Sequence, residues 1–176
     1  LYGDVDFSSD VTVDDAIAIL ENCVGLSNLD SLASNVADVT QNDIVSNLDA
    51  SLVLQYSNGS IEDLPIIDNS EYLANGEIIL QDQNANPGTI ITVPIQILNP
   101  DNIYGFTGEL HFDSNVLNIE SVVLNDINQE GIIVYDEIIP GQLRFSGSLQ
   151  DPLTEDLSIL NLEFFVGENF TEETNI

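Results

Sequence analysis

The first third of the chain contains two twelve-residue segments that repeat one spacing of oxygen-bearing side chains. The segments run over residues 4–15 and 38–49. In each of them Asp, Asn, Ser or Thr stands at positions 1, 3, 5, 9 and 12, and an apolar stretch with helical spacing follows at once. A spacing that recurs together with its helix restricts residues 1–65 to a pair of loop–helix repeats.

This spacing is that of an EF-hand-type calcium loop, in which about six to eight oxygens surround the ion and position 7 provides a backbone carbonyl. The pattern predicts two Ca²⁺ ions. The expected ligands are Asp4, Asp6, Ser8, Asp10, Thr12 and Asp15 in the first loop and Asp38, Thr40, Asn42, Ile44, Ser46 and Asp49 in the second.

The two loops are not equivalent. The first carries more carboxylates, so we expect it to bind calcium more tightly than the second. Position 6 is usually glycine because the turn there is sharp, whereas this chain has Ser9 and Asp43. Both residues are therefore expected to adopt a positive φ.

The charge of the chain limits its partners. There are 31 acidic residues against a single basic one, Arg144, which gives a net charge of −30. Such a surface repels nucleic acids and anionic membranes, attracts divalent cations and tolerates high salt. We therefore expect a secreted or cell-surface location, with a signal peptide already removed before Leu1, and we expect Arg144 to pair with a specific carboxylate.

The apolar positions define the helices of the repeats. The first helix has Ala16, Ile17, Leu20, Cys23 and Val24 on one side and ends at Gly25; the second has Leu52, Val53 and Tyr56 and ends at Asn58-Gly59. A short helix is expected around residues 29–36. Cys23 is the only cysteine, so there is no intrachain disulfide, and we interpret it as a core residue.

The pattern changes after a linker over residues 66–75. Seven short runs with strand periodicity follow: Glu77–Gln81, Thr89–Leu98, Ile103–Phe112, Leu117–Leu124, Ile132–Tyr135, Gln142–Ser148 and Leu157–Val166. Pro94 lies inside the second run, which places it at a sheet edge or a bulge. The predicted fold class is α+β with two domains: a small helical domain with paired EF-hand-like loops, then an antiparallel jelly-roll β-sandwich.

Residues 1–65 resemble a dockerin module, a pair of calcium loop–helix repeats of this length. The stronger match is the second repeat, from Ala37-Asp38-Val39 to Leu54-Gln55-Tyr56, and Leu64-Pro65 opposite Leu1-Tyr2-Gly3 resembles the clasp that closes many dockerins. The resemblance implies partner contacts at loop positions 10 and 11. In this sequence those positions are Val13, Asp14, Asn47 and Leu48, and none of them forms the Ser-Thr pair common in cellulosomal dockerins.

Residues 76–176 resemble a cohesin-like β-sandwich, the partner fold of dockerins. The resemblance is carried by Asn86-Pro87-Gly88-Thr89, by the segment 110–117 with its Asp-x-x-Val-Leu turn, and by Leu143-Arg144-Phe145-Ser146-Gly147 and Leu160–Phe164. A cohesin is longer than this segment, so the last strand is expected to be missing here or to come from elsewhere. Candidate donors are the N-terminal Leu1-Tyr2 and residues 169–176.

Together these features predict a non-catalytic extracellular protein that assembles through calcium-dependent dockerin–cohesin binding. Its partner is a cohesin-like domain of the same or another protein, and head-to-tail filaments or strand addition follow if copies join. The alternative is a carbohydrate-binding or adhesion module, although the chain has no Trp and its Tyr72, Tyr104 and Tyr135 are scattered.

The remaining chemical motifs are weak. The single histidine, His111, is expected at the surface, and Ser146-Gly147-Ser148 lacks the strand–turn–helix context of a hydrolase nucleophile, so no enzyme is predicted. Asp113, Asn115 and Asp126 are weaker candidates for further calcium, and Asn58 and Asn169 begin glycosylation sequons.

Overall fold

The structure, a computed structural model, describes residues 1–67, 75–125 and 131–168. Helices come first along the chain: α1 (Val13–Val24), α2 (Ser31–Ala37) and α3 (Asn47–Ser57). Strands follow: β1 (Asn75–Leu80), β2 (Ile90–Asp101), β3 (Ile103–His111), β4 (Leu117–Leu124), β5 (Gly131–Ile139), β6 (Gln142–Leu153) and β7 (Leu157–Val166). We call residues 1–67 the helical unit and the described residues from 75 onward the sandwich.

Each long helix begins at the end of an acidic loop. Thr12 caps α1 and forms a capping box with Asp15, and Ser46 caps α3 and forms the same box with Asp49. Gly25 ends α1 with a φ of 87°, a conformation that glycine adopts without strain. The positions of all three predicted helices are therefore confirmed.

The helical periodicity was assigned correctly for most core residues but not for all. Ile19 is fully buried, whereas Ile17 and Tyr56, which were predicted on the apolar side, are only half-buried. The buried side of α1 consists of Asp15, Ala16, Ile19, Leu20 and Val24, so Ile17 lies at its margin, and Tyr56 follows the buried run 49–55 of α3. Cys23 packs against the core of the helical unit, as predicted.

The strands form two antiparallel sheets. One has the order β1-β2-β7-β4 and the other the order β3-β6-β5. Between them lies a core in which the rings of Phe112 and Phe164 meet edge to face with centroids 5.0 Å apart. Every predicted strand is present in the described residues, which confirms the β-sandwich.

Strands β2, β5 and β6 run past their predicted ends, to Asp101, Ile139 and Leu153, and Pro94 lies beside a bulge. Each of the three extensions contains an acidic residue, a residue type that the sequence pattern treated as a break between strands. Pro94 was predicted at a sheet edge or a bulge; the bulge is present, whereas the edge is wrong, because β2 is an inner strand. Its partner β1 ends opposite Ile95, so Pro94 lies beyond β1 and next to the bulge between Ile95 and Gln96. The missing N–H of Pro94 therefore removes no hydrogen bond to β1.

Two glycine–phenylalanine pairs link β3 and β6. Phe106 lies opposite Gly147 and Gly108 lies opposite Phe145. A Cβ at either glycine would overlap the ring of its partner. Each ring thus covers the backbone of the facing strand, and both rings point into the core while the neighbouring side chains point outward.

The helical unit packs on the outer face of the sheet β3-β6-β5. Its own hydrophobic core includes Ile19, Leu20 and Leu52, and Tyr104, Ile132 and Val134 of the sandwich pack against that core. Every residue of α3 from 49 to 55 is buried, because one side of the helix contacts α1 and another contacts β3 and β6. A helix that is buried all round shows no amphipathic stripe.

The N-terminal segment belongs to the helical unit. The amide of Gly3 donates to the carbonyl of Val36 at 2.8 Å, and a Cβ at Gly3 would lie 2.9 Å from the side chain of Leu64. Gly3 therefore lies beside Leu64, where the resemblance places the clasp, and Leu1-Tyr2 forms no strand of either sheet. The other candidate donor strand, residues 169–176, and most of the predicted linker lie outside the described residues.

Candidate calcium loops and protein-binding face

The first loop brings three carboxylates together. Oxygens of Asp4, Asp6 and Asp15 all lie within 4.8 Å of one another. Asp15 is fully buried, and its Oδ1 accepts hydrogen bonds from the amides of Val5 at 2.7 Å and Asp6 at 3.2 Å. Its Oδ2 accepts from the amide of Thr12 at 2.8 Å. One carboxylate thus joins the start of the loop to the start of α1.

The side chain of Asp4 fits a cation. Only 5% of this residue is exposed, and its Oδ1 has no hydrogen-bond partner, whereas Oδ2 accepts from the amide of Ser9 at 3.2 Å. A buried carboxylate oxygen without a donor is costly unless a positive group faces it. The hydroxyl of Ser8 lies 3.2 Å from the carbonyl of Asp10, so two further predicted ligand oxygens are adjacent. This donor set of hard oxygens suits Ca²⁺.

The second loop repeats the geometry with fewer charges. Asp49 is fully buried and accepts from the amides of Thr40 at 3.1 Å and Ser46 at 2.9 Å. Asp38 accepts from the amides of Asn42 at 3.1 Å and Asp43 at 2.9 Å. Thr40 stands where the first loop has Asp6, so no third carboxylate of the described residues joins Asp38 and Asp49.

The backbones of the two loops match at the residues that turn them. Position 6 has a positive φ in both, 83° at Ser9 and 65° at Asp43, as predicted. Position 4 does too, with 60° at Phe7 and 55° at Gln41. Left-handed backbone is unfavourable for residues with a side chain, at about 1–2 kcal/mol each. Its recurrence at the same positions shows that the loops share one conformation.

Burial and hydrogen bonding have opposite effects on the pKa of two of the candidate ligand carboxyls. The amide and hydroxyl of Ser8 lower the pKa of Asp6, which lies at the surface. Burial raises the pKa of Asp49, against the hydrogen bonds that it accepts from Thr40 and Ser46. The negative charge of Asp49 therefore lacks a compensating positive group in the part of the chain that the structure describes.

The second candidate site is the outer face of the sheet β3-β6-β5, which the helical unit covers. The hydroxyl of Ser51 on α3 donates to the carbonyl of Tyr104 at 2.8 Å. From the other side, the hydroxyl of Ser148 on β6 donates to the carbonyl of Asn47 at 3.1 Å. Gly105 allows this approach, because a Cβ there would come within 3.2 Å of Asn47. Small side chains thus bring helix and sheet backbones together.

Arg144 lies at one end of this face. Its Nε donates to Glu109 at 2.7 Å, which confirms the predicted pairing with a specific carboxylate. Hydrogen bonds from Arg144, then Gln142 and His111, lower the pKa of Glu109 to about 2. A Cβ at Gly25 would lie 3.8 Å from Nη1 of Arg144. The guanidinium therefore lies beside the C-terminal end of α1, where the helix dipole favours a positive charge.

The structure separates the four predicted partner-binding residues. Asn47 lies in the contact with the sheet, and Leu48 packs against the core of the helical unit. Val13 and Asp14, their counterparts in the first repeat, are exposed. The contact residues Ser51, Ser148, Ile132 and Val134 were missed by sequence reasoning. The one signal for them in the sequence is the run of small residues Ser146-Gly147-Ser148 in a strand, because small side chains let another backbone approach.

The other candidates gain no support as sites. Tyr104 is partly covered by the helical unit, Tyr135 is 39% exposed, and Tyr72 lies outside the described residues. Asn115 donates to Asp113 in a local turn, and Asp126 also lies outside. Burial raises the pKa of Cys23 to about 11, so it is unsuited to be a nucleophile. Asn58 is exposed, and Asn169 is not described.

Comparison with known proteins identifies the sandwich. Residues 76–176, more than half of the chain, match the model of the cohesin domain. The chain belongs to the cohesin family. Cohesins are non-catalytic binding modules, in agreement with the prediction that the protein is not an enzyme. No curated protein sequence matches the chain.

Solved structures of cohesins and of cohesin–dockerin complexes are similar to parts of this chain. A non-cellulosomal cohesin from the archaeon Archaeoglobus fulgidus is 25% identical with a TM-score of 0.47, and the match covers 52% of this chain and 64% of that one. The sixth cohesin of scaffoldin B from Acetivibrio cellulolyticus, solved with a Cel5 dockerin, is 17% identical with a TM-score of 0.47, covering 55% and 74%. A chain from the complex of the third ScaC cohesin with the ScaB dockerin, also from Acetivibrio cellulolyticus, is 32% identical with a TM-score of 0.36, covering 39% and 97%.

The cohesin match does not extend to the helical unit. Neither the dockerin resemblance nor the calcium ligands are tested by it, and both stay predictions. Among the described residues, no helix is long and apolar enough to cross a membrane.

Proposed function

We propose that this cohesin is a calcium-dependent assembly protein of the extracellular space, in which a dockerin-like helical unit and a cohesin sandwich recognise each other. One observation carries the proposal: the helical unit is seated on the outer face of the sheet β3-β6-β5, with Ser51 and Ser148 bonding across the contact. Cohesin domains bind dockerins, so a dockerin-like unit on this face is the expected kind of partner.

The two acidic loops would hold the calcium. Asp4, Asp6 and Asp15 provide the carboxylates of the first loop, and Asp38 and Asp49 provide those of the second. Bound calcium neutralises carboxylates that otherwise repel one another. Asp15 and Asp49 connect each loop to the first turn of the helix that follows it, because they accept hydrogen bonds from the amides of Thr12 and Ser46. Calcium binding in such a unit is coupled to its folding.

Assembly between copies follows from the same two surfaces. A chain that carries both a helical unit and a complementary sheet face can join head to tail, and such a heterologous contact forms an open filament unless it closes. Strands β3 and β5 are the edges of their sheet in the described residues and are the candidate seats for strand addition. The acidic surface suits calcium-rich, saline surroundings.

A calcium titration of the full chain tests the proposal. We expect isothermal titration calorimetry to show two bound ions per chain, helical circular dichroism to increase as they bind, and chelation to reverse the increase. Magnesium at the same concentration is the control for simple charge screening. A chain that takes up no calcium and keeps the same helicity throughout would overturn the proposed calcium dependence.

A further inference from the structure

Two polar residues on the outer face of the sheet β3-β6-β5 are buried, which is unusual for side chains that point away from the sandwich core. Ser146 and Ser148 are fully buried, although they alternate with the core residues Phe145 and Leu149 and so point away from the sandwich core. Polar residues at such positions normally face water. Here the helical unit of the same chain covers them, so their burial measures how completely this face is occupied.

The contact is suited to reversible binding. Besides the hydrogen bonds of Ser51 and Ser148, Gln150 donates to the hydroxyl of Ser60 at 3.2 Å. Ile132 and Val134 add an apolar strip on β5. Each part keeps a separate hydrophobic core, with Ile19 and Leu52 in one and Phe164 in the other. The fully buried members of each core come from one part alone, and only the half-buried Tyr104, Ile132 and Val134 pack across the contact, so separation uncovers the contact without dividing either core.

The tether between the parts decides where the helical unit binds. The helical unit ends at residue 67 and β1 begins at Asn75, so the stretch of sequence between the two parts is short. A linker of such length gives two modules an effective concentration of about a millimolar. Below that concentration a chain binds itself in preference to a second copy. Above it, the helical units of two copies can exchange places on the same sheet face.

From these observations we infer that the chain occupies its own binding face as a closed monomer, and that a second copy of the helical unit is the partner that this face takes in exchange. The inference rests on the proposed function and adds a competition to it. A partner on another chain can bind the sheet face only after it displaces the helical unit of the same chain. Assembly is therefore limited by opening of the monomer as well as by affinity.

Complementation between two full-length variants tests this inference. Ser51→Arg blocks the helical unit, because the longer side chain cannot approach Tyr104. Ser148→Arg blocks the sheet face. Neither variant can form the contact within one chain or between two copies of itself. A mixture can form one intact contact, because the Ser51→Arg variant keeps a normal sheet face and the Ser148→Arg variant keeps a normal helical unit. Sedimentation velocity at about 10 µM, far below the effective concentration of the tether, is the measurement.

We expect the wild type to be a compact monomer, each variant alone to be a monomer with a lower sedimentation coefficient, and the mixture to form a dimer. Asn35→Arg on α2 and Asn118→Arg on β4 are matched controls, because both add the same charge at exposed positions away from the contact. If Ser148→Arg fails to fold, Val134→Arg takes its place. If Ser51→Arg fails to fold, Ser51→Gln takes its place.

The calcium response of each variant is recorded before mixing, so the two proposals fail separately. Variants that bind calcium yet stay as compact as the wild type, or that give no dimer when mixed, overturn the closed monomer and leave the calcium proposal intact. A wild type that is already dimeric at this concentration also overturns it. Loss of the calcium response in the wild type contradicts the proposed function instead.

Discussion

Replacing Asp15 by Ala is expected to unfold the first loop–helix repeat and to reduce the calcium stoichiometry from two ions to one. The carboxylate is fully buried and accepts from the amides of Val5, Asp6 and Thr12. Its loss leaves those donors without a partner, and each buried unsatisfied donor costs about 1–3 kcal/mol. The capping box of α1 is lost as well, at about 0.5–2 kcal/mol.

Asp14→Ala is the matched control for this variant. Asp14 is exposed, immediately precedes Asp15 in the same turn and takes part in neither the capping box nor the carboxylate cluster. Helical circular dichroism and calorimetry are the readouts, with calcium present and after chelation. If Asp15→Ala keeps the helicity and both ions, the assignment of the first loop is wrong.

Replacing Gly147 by Ala is expected to destabilise the sandwich by about 1–3 kcal/mol, because the new methyl group overlaps the buried ring of Phe106. The ring cannot move outward, since the strand β6 covers it, and it cannot move inward without displacing the core. The same reasoning applies to Gly108 opposite Phe145. Chemical denaturation followed by circular dichroism of the strands measures the change in the free energy of unfolding.

Gly167→Ala is the control, because the nearest atom to a Cβ at that position is 3.4 Å away, an ordinary contact, and the φ of Gly167 is not positive. The calcium response of the helical unit should survive Gly147→Ala, since the two hydrophobic cores are separate. Equal stability of Gly147→Ala and Gly167→Ala would show that the Phe106 ring has room to move, against the packing described here.

The elements of this fold could be predicted because each has a local signal. Period-two alternation located the strands, and apolar residues at helical spacing, with stops at Gly25 and Asn58-Gly59, located the helices. The positive φ at Ser9 and Asp43 also followed from the loop pattern alone. These features depend on neighbours within a few residues, which is why one sequence was sufficient.

The contact between the two parts had no such signal. Ser51 and Ser148 are 97 positions apart in the sequence, and either of them alone reads as a solvated hydroxyl. The even distribution of apolar residues round α3 shows that the helix is buried on several sides but not what buries it. Long-range packing also explains the details that the pattern missed: the burial of Ile19 in place of Ile17, the half-burial of Tyr56 and the position of β2 inside its sheet.

Arg144, already described as the partner of Glu109, has a practical consequence for proteolysis. These 176 residues contain no other lysine or arginine, so trypsin has a single cleavage site in them. That site lies in β6, the middle strand of its sheet, where the backbone is bonded to β3 on one side and to β5 on the other. A protease must extract the strand to cut there. Tryptic digestion therefore reports unfolding of the sandwich alone, as one cut into two fragments, and is blind to opening of the helical unit.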